Sequence, residues 1–318
     1  MIIMSWDSEH GFSTQKIFLN IEYEGAVEAT LIKRLAKAPS KKAILYIHGF
    51  VDYFFQNHLA EWANNLDYNF YALDIRKHGR SILPHQSPNM TRDLREYFEE
   101  VDIATNIIRN DDKNEFLVLL GHSTGGLISS LYANQHNADN KIDALILNSP
   151  FFDFNKPSWF KNYILPIVAK IGLRFPNIPS PEGLKEGYVK SIHKDHHGEW
   201  DFDFKYKPLL GFKINLGWIS AIYYAQKTLQ HGLEIKCPTL VMYSSNSITP
   251  GDYKESMHNA DSVLDVVDIK KYADKLGSNI SQVEIIDGVH DLILSKKDVR
   301  TKVFEEMTSF LSKVTTSN

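Results

Sequence analysis

Short apolar runs alternate with segments of helical periodicity along most of the chain. The runs predict eight strands, at 16–23, 28–35, 43–47, 69–73, 116–120, 144–147, 239–243 and 282–286. The spacing of apolar positions predicts helices at about 56–65, 92–109, 124–136, 217–231, 266–276 and 297–312. This order indicates a mostly parallel sheet covered by helices on both faces, and the first two strands, with no helix between them, predict a hairpin.

Residues 151–218 interrupt this alternation. The segment holds 14 aromatic residues and six of the chain's 12 prolines, a composition that argues against a flexible linker. Within it, 162–173 has the spacing of an amphipathic helix that could cover a site or lie on a lipid surface. We therefore predict a core formed by 1–150 and 219–318 and a lid formed by 151–218.

The sequence Gly-His-Ser-Thr-Gly at 121–125 follows the apolar run Phe-Leu-Val-Leu-Leu and opens a helical stretch. A serine at such a strand-to-helix turn is held exposed at the strand tip, where a base can activate its hydroxyl. Ser123 is therefore the candidate nucleophile.

Two further stretches carry a family resemblance, Ile-Leu-Tyr-Ile-His-Gly-Phe at 44–50 and Tyr-Ala-Leu-Asp-Ile-Arg-Lys-His-Gly-Arg-Ser at 71–81. Together with the serine motif, they resemble the α/β-hydrolase superfamily, in its serine aminopeptidase or monoglyceride-lipase-like branch. The second stretch is similar to that family's Asp-x-Arg-Gly-His-Gly-x-Ser turn, with Lys77 in place of the first glycine. The C-terminal stretches at 237–243 and 288–292 also match, so the resemblance covers about 17–313 except the middle.

In this family the order along the chain is serine, acid, histidine. His290, after the last strand in Gly-Val-His-Asp-Leu, matches the family's base. The acid is displaced, because Ser-Ser-Asn-Ser follows Tyr243 where the family has an aspartate. The resemblance of Asn-Ala-Asp-Ser-Val-Leu-Asp-Val to a family stretch favours Asp261, with Asp252 and Asp265 as alternatives.

The resemblance also implies an oxyanion hole formed by two backbone amides, those of Phe50 and Thr124. We expect His48 to be a structural hydrogen-bonding group rather than a proton carrier. We expect Asp74, Arg76 and His78 to brace the loops beneath the site.

Composition narrows the functional classes. A formal net charge of −4 with 23% charged residues gives no electrostatic case for nucleic-acid binding. No apolar run approaches the roughly 20 residues of a membrane span, and the first residues show no basic segment before an apolar one, so we predict a cytoplasmic protein. The single cysteine, Cys237, is expected to be a buried structural residue. The histidines of 191–203 have no recognised zinc spacing, and a serine mechanism requires neither metal nor cofactor.

The sequence thus predicts a serine hydrolase that cleaves carboxylic esters with an apolar acyl group, such as a monoglyceride, a lysophospholipid or a small lipophilic ester. An aminopeptidase or acyltransferase using the same triad and a non-catalytic binding protein are the alternatives. The oligomeric state stays open, with a homodimer as one option. The predicted substrate-binding residues are Phe50, His122, Trp159, Trp200 and Trp218.

Overall fold

A nine-stranded sheet forms the centre of the protein in the computed structural model, which describes residues 4–7, 11–139 and 141–316. The remaining residues of the predicted core, including both chain ends, lie outside the described part. The strands are β1 (Met4–Asp7), β2 (Phe12–Phe18), β3 (Glu28–Arg34), β4 (Lys42–Ile47), β5 (Asn69–Asp74), β6 (Phe116–His122), β7 (Ala144–Asn148), β8 (Thr239–Ser244) and β9 (Ile280–Ile285).

The strand order is β1-β2-β3-β5-β4-β6-β7-β8-β9. β1, β2 and β3 pair antiparallel, as do β3 and β5, whereas every pair from β5 to β9 is parallel. All eight predicted strands are present, the predicted hairpin is β2–β3, and β1 adds a ninth strand at the edge. The predicted first strand continued to residue 23, but the chain leaves the sheet after Phe18 and turns tightly between Glu22 and Gly25.

Eight helices in the described part of the chain cover the sheet. They are α1 (Asn57–Asn65), α2 (Phe98–Asn106), α3 (Thr124–Gln135), α4 (Leu165–Arg174), α5 (Gly187–Ile192), α6 (Leu216–His231), α7 (Val266–Ala273) and α8 (Lys297–Thr316). The helices predicted outside the inserted segment are confirmed, with ends that differ by a few residues. The largest difference from prediction is at 92–109. There α2 is shorter than the predicted helix, and short helical turns at Leu94–Tyr97 and Ile107–Asp111 flank it.

Buried apolar side chains lie on both faces of the sheet. In β6, Leu117 and Leu119 pack in one cluster with α2, α3 and α6, whereas Val118 and Leu120 pack in the other with α1 and α8. Because neither face of this parallel strand contacts solvent, side chains on both faces are apolar, which explains the continuous apolar run in β6. The sheet and its two helical layers therefore match the predicted fold class.

The segment 151–218 lies between β7 and α6 and contains α4 and α5. The predicted amphipathic helix is confirmed as a helical turn, Phe160–Ile164, that continues into α4. Gly172 lets α4 approach α6 closely, since a Cβ there would lie 2.2 Å from the Leu216 carbonyl oxygen. Among the described residues, no helix combines the length and hydropathy that a bilayer crossing requires.

Candidate active site

Ser123 occupies the sharp turn between β6 and α3. Its backbone has φ 52° and ψ −117°, a conformation that an L-residue adopts only under local constraint. Four backbone hydrogen bonds hold Ser123. Its N–H donates to the Asn148 carbonyl, and its carbonyl oxygen accepts from the N–H groups of Gly126, Leu127 and Phe151. The strain therefore lies at the residue predicted to be the nucleophile.

The two glycines of the motif are required by close packing. A Cβ on Gly125 would lie 2.3 Å from the Ile47 carbonyl oxygen, and a Cβ on Gly121 would lie 2.5 Å from the Gly125 carbonyl oxygen. Heavy atoms do not approach so closely without displacement. The glycines let α3 begin directly against the end of β4, which fixes the direction of the Ser123 side chain.

His290 and Asp261 complete the arrangement. His290 Nε2 lies 3.1 Å from Ser123 Oγ, and His290 Nδ1 lies 2.8 Å from Asp261 Oδ2. All three side chains are buried. With the Asp261 carboxylate accepting from Nδ1–H, Nε2 is left free to accept the serine proton.

Asp261 reaches His290 by way of an excursion of the chain after β8. The excursion closes on itself, because the Asp261 N–H donates to Asn246 and the Ile248 N–H donates to Asp261. Asp261 Oδ1 accepts the N–H groups of Val263 and Leu264, each at 2.8 Å, which fixes the carboxylate. Backbone hydrogen bonds to both its main chain and its carboxylate therefore hold the displaced acid in place.

The two alternative acids have other positions. Asp265 caps the N-terminus of α7 and accepts the Val267 N–H, and Asp252 lies exposed in the excursion. Neither contacts His290 in the described structure. Of the three candidates, Asp261 is the one brought to the histidine.

The backbone at 49–50 and the start of α3 form the wall beside Ser123. A Cβ on Gly49 would lie 3.1 Å from Ser123 Cβ and 3.3 Å from the His122 ring, so the loop after β4 passes close to the serine. Thr124 opens α3, where the first N–H groups have no acceptor within the helix. Both Phe50 and Thr124 line the cavity that contains Ser123.

The loops beneath the site are braced by buried polar groups. His48 Nε2 accepts the Ile75 N–H at 3.2 Å, so its Nδ1–H donates to the Gly49 carbonyl at 2.8 Å. Asp74 accepts the N–H groups of Phe54 and Arg80, at 2.8 and 3.1 Å. These contacts agree with the predicted structural roles.

The same loops contain two further braces. Arg76 forms a buried bidentate pair with Glu100, and His78 Nδ1 lies 2.8 Å from the Arg76 carbonyl oxygen. Burial, together with the neighbouring His48, lowers the pKa of His78 to about 3, so this imidazole is neutral in the folded protein.

Lys77, which stands where the family has glycine, adopts the left-handed φ of 61° that glycine would take. Its ammonium is fully buried and pairs with Glu22 and with Glu24, the latter at 2.7 Å, above the ring of Tyr23. Glu22, Tyr23 and Glu24, all in the β2–β3 connection, thus hold the Lys77 side chain and stabilise its left-handed backbone conformation.

A cavity of about 1010 Å³ opens beside Ser123 and His290. Its lining is mostly apolar and comes largely from the inserted segment, including Phe160, Leu165, Val168 and Ile171. Of the predicted substrate-binding residues, Phe50, His122 and Trp218 line it.

The other two predicted tryptophans are not among the residues that line the cavity. Trp159 is 61% exposed. Trp200 stacks on His58 at 4.4 Å and donates its indole N–H to the Leu294 carbonyl. Aromatic density in the sequence does not indicate the direction in which each ring points. A role for Trp159 and Trp200 in substrate binding stays a prediction that this cavity does not support.

Two buried polar pairs lie near the site, and no sequence motif indicates either of them. Lys207 Nζ lies 2.8 Å from Asp52 Oδ1, joining the inserted segment to the loop after β4. Asn148 donates to Asp291 Oδ1 at 2.7 Å and anchors the loop of His290. Asp291 directly follows the predicted base and Asn148 directly follows a predicted strand, so the sequence indicates their positions but not their pairing.

In the described part of the chain, one group of side chains brings metal-ligand atoms close together. Asp52, His122 and Asp291 place one ligand atom each within 4.8 Å of one another. The Lys207 ammonium already neutralises Asp52, so this donor set resembles an ion-pair cluster more than a metal site. The pKa of Asp52, which burial alone would raise, is held below its usual value chiefly by Lys207.

Solved structures with the same fold include several lipases and esterases. A soluble variant of monoglyceride lipase from Saccharomyces cerevisiae, in complex with a substrate analogue, is 17% identical with a TM-score of 0.69, covering 94% of each chain. Monoacylglycerol lipase from Paleococcus ferrophilus is 18% identical with a TM-score of 0.63, covering 88% of this chain and 99% of that one. Est1E from Butyrivibrio proteoclasticus with ferulic acid is 17% identical with a TM-score of 0.59, covering 94% and 99%.

At these identities the likeness concerns the fold. No curated protein sequence matches the chain significantly. The sequence profile of the family described as serine aminopeptidase, S33 (Hydrolase_4) matches residues 38–297, well over half of the chain. The protein therefore belongs to this family of α/β hydrolases.

Proposed function

We propose that the protein is a serine hydrolase that cleaves carboxylic esters through an acyl-enzyme on Ser123. The observation that carries the proposal is the continuous contact from Ser123 Oγ to His290 Nε2 and from His290 Nδ1 to Asp261. A serine, a base and an acid in this geometry are what nucleophilic acyl transfer requires.

In the first half of the reaction, His290 Nε2 takes the proton as Ser123 Oγ attacks the ester carbonyl. The developing oxyanion would accept hydrogen bonds from the Phe50 and Thr124 amides, which line the same cavity. The imidazolium then protonates the leaving alcohol, and Asp261 stabilises its positive charge.

In the second half, water loses a proton to His290 and attacks the acyl group on Ser123. The tetrahedral intermediate collapses, the carboxylic acid leaves, and the proton returns to Ser123 from His290. The same chemistry with an alcohol in place of water would be acyl transfer, which the geometry accommodates equally.

The size and lining of the cavity favour a substrate whose larger part is an apolar acyl group. Its volume of about 1010 Å³ is at the upper end of the usual range for small-molecule sites, and its walls are mainly aliphatic and aromatic. Solved relatives of the same fold are named as monoglyceride lipases and as an esterase with ferulic acid. Monoglycerides, lysophospholipids and lipophilic esters are the proposed class.

We propose that residues 151–218 act as a lid over a core of 1–150 and 219–318. The segment supplies most of the cavity wall, so it would exclude water from the acyl-enzyme. The cytoplasmic location, lipid-surface contact by this segment and a homodimer remain predictions of the sequence.

The peptidase and binding-protein alternatives have less support. A displaced acid would favour a non-catalytic protein if it left the histidine without a partner, but Asp261 Oδ2 lies 2.8 Å from His290 Nδ1. An aminopeptidase needs an acid to hold the free amine, and Asp52, the buried carboxylate in the cavity, is already paired with Lys207.

The experiment is labelling with a fluorophosphonate probe followed by hydrolysis of p-nitrophenyl esters of increasing chain length. Wild type should be labelled and should prefer chains longer than acetyl. Ser123→Ala should lose both labelling and several orders of magnitude in turnover, because triad members act as a unit. Labelling of another serine, or peptide cleavage without ester cleavage, would overturn the proposal.

A further inference from the structure

Val51, in the loop that follows β4, has a backbone φ of 49°. For a β-branched residue this is a true outlier, and such backbone strain is energetically unfavourable. It persists only where neighbouring contacts hold the chain. The residue directly before it, Phe50, carries one of the two amides proposed to bind the oxyanion, so the strain sits at a sensitive point.

The residue before Val51 is held by the end of the inserted segment. The Phe50 ring stacks on Trp218, with ring centroids 4.0 Å apart and planes at 29°. Trp218 is itself buried in the first turn of α6, and the Phe151 ring also stacks on it, with ring centroids 6.4 Å apart. The Phe50 side chain therefore has a rigid partner.

The residue after Val51 is held by the same segment from another direction. Asp52 is 2% exposed and Lys207 is 5% exposed, and their charged atoms lie 2.8 Å apart. The structure gives Asp52 no partner other than this ammonium at hydrogen-bond distance among the described residues. A buried charge that loses its partner is strongly destabilised, so this pair resists separation.

The geometry points to a role for the inserted segment beyond covering substrate: Lys207 and Trp218 hold the strained loop 50–52 in the conformation that presents the Phe50 amide to the oxyanion. Both are positioning residues, since they act through Asp52 and Phe50. The inference rests on the proposed function. It predicts that breaking one of these contacts lowers transition-state stabilisation even for a substrate too short to fill the cavity.

The test uses Lys207→Met, which keeps the length of the side chain and removes its charge, and p-nitrophenyl acetate as substrate. The oxyanion exists only after attack, so kcat should fall while KM changes little. We expect a fall of roughly tenfold to a hundredfold, less than the 10²–10³ for full loss of one donor. Lys207→Arg, which keeps the charge, should recover much of the loss.

Lys205→Met is the matched control. Lys205 lies two residues away in the same segment, is exposed, and contacts Tyr206 rather than the loop. It should leave kcat and KM for the acetate ester unchanged. Thermal unfolding of each variant verifies that the folded state is present during the assay.

A rescue experiment isolates the strain itself. Glycine adopts a φ near 49° without the penalty that valine carries. In a Lys207→Met background, Val51→Gly should therefore raise kcat above that of Lys207→Met alone. A role for Lys207 in substrate contact or in general stability would not be rescued at this position.

The outcomes separate the two proposals. If wild type neither labels with fluorophosphonate nor cleaves the acetate ester, the proposed function fails and this inference fails with it. If wild type is active and folded Lys207→Met retains its kcat, or the glycine gives no recovery, this inference alone is overturned. Should Lys207→Met not fold, Trp218→Leu tests the other contact by the same change in kcat at constant KM.

Discussion

Asp261 Oδ2 lies 2.8 Å from His290 Nδ1, although Asp261 comes well after the end of β8 and not directly behind it. The intervening chain leaves the sheet, packs against α5 through the Gly187–Gly251 hydrogen bond, and returns to pair Ser247 with Asp261. An insertion before the acid is compatible with the triad geometry, because the hydrogen bond to His290 requires only that the carboxylate reach Nδ1.

This contact predicts the effect of removing the charge at each of the three candidate acids. Asp261→Asn should lower kcat by about 10⁴, since an amide at this position stabilises the wrong tautomer of His290. Asp252→Asn and Asp265→Asn are the matched controls. They should stay within a few-fold of wild type in ester hydrolysis, and a greater loss from either would transfer the role of the acid.

The approach of α3 to β4 predicts that Gly125 cannot carry a side chain. Gly125→Ala would place a Cβ 2.3 Å from the Ile47 carbonyl oxygen, so the helix start must shift. Overpacking of this kind costs typically 1–3 kcal/mol or more, and the displaced Ser123 should lose fluorophosphonate labelling. Gly251→Ala, where a Cβ meets nothing within 4 Å, is the control and should unfold at the wild-type urea concentration.

The cavity wall predicts how chain-length preference can be changed. Val168 lines the cavity, whereas its neighbour Ile167 is 58% exposed. Val168→Trp should fill part of the acyl site and lower kcat/KM for long esters while sparing acetate, by up to about 0.8 kcal/mol for each methylene excluded. Ile167→Trp should leave the chain-length series unchanged. Equal losses at every length for folded Val168→Trp would contradict an acyl site here.

The buried histidines predict how stability depends on pH. Burial lowers the pKa values of His48 and His122, and that of His78 to about 3. Because the unfolded chain binds these protons near pH 6.5 and the folded one does not, stability is fully present above about pH 6.5 and falls as the pH is lowered toward 3.

Within that window His78 contributes a slope of about 1.4 kcal/mol per pH unit, and His48 and His122 add to the slope in the same direction. Urea unfolding between pH 7 and pH 4 measures it, and His78→Asn, which keeps a donor near the Arg76 carbonyl, should reduce the slope. The same substitution at exposed His85 is the control. An unchanged slope in folded His78→Asn would show that His78 does not remain neutral.

Much of the architecture could be predicted from the sequence, because local patterns of apolar residues and glycines determine it. Continuous apolar runs mark strands buried on both faces, and glycines around Ser123 mark the turn where a side chain would collide with β4. His290 could be assigned because it follows a predicted strand and because its loop, Gly-Val-His-Asp-Leu, resembles the loop that carries the family's base. Such features depend on neighbours in the sequence.

What the sequence determined by itself was the order of strands and helices, the serine turn, the histidine loop and the presence of an aromatic insertion. Tertiary structure alone decided which aspartate meets His290, that Trp218 faces the cavity while Trp159 and Trp200 do not, and that Lys207 pairs with Asp52. Those choices depend on contacts between residues far apart along the chain, such as the 155 positions between Asp52 and Lys207. Distant partners impose no periodicity or spacing on the sequence, and only the folded chain brings them within range.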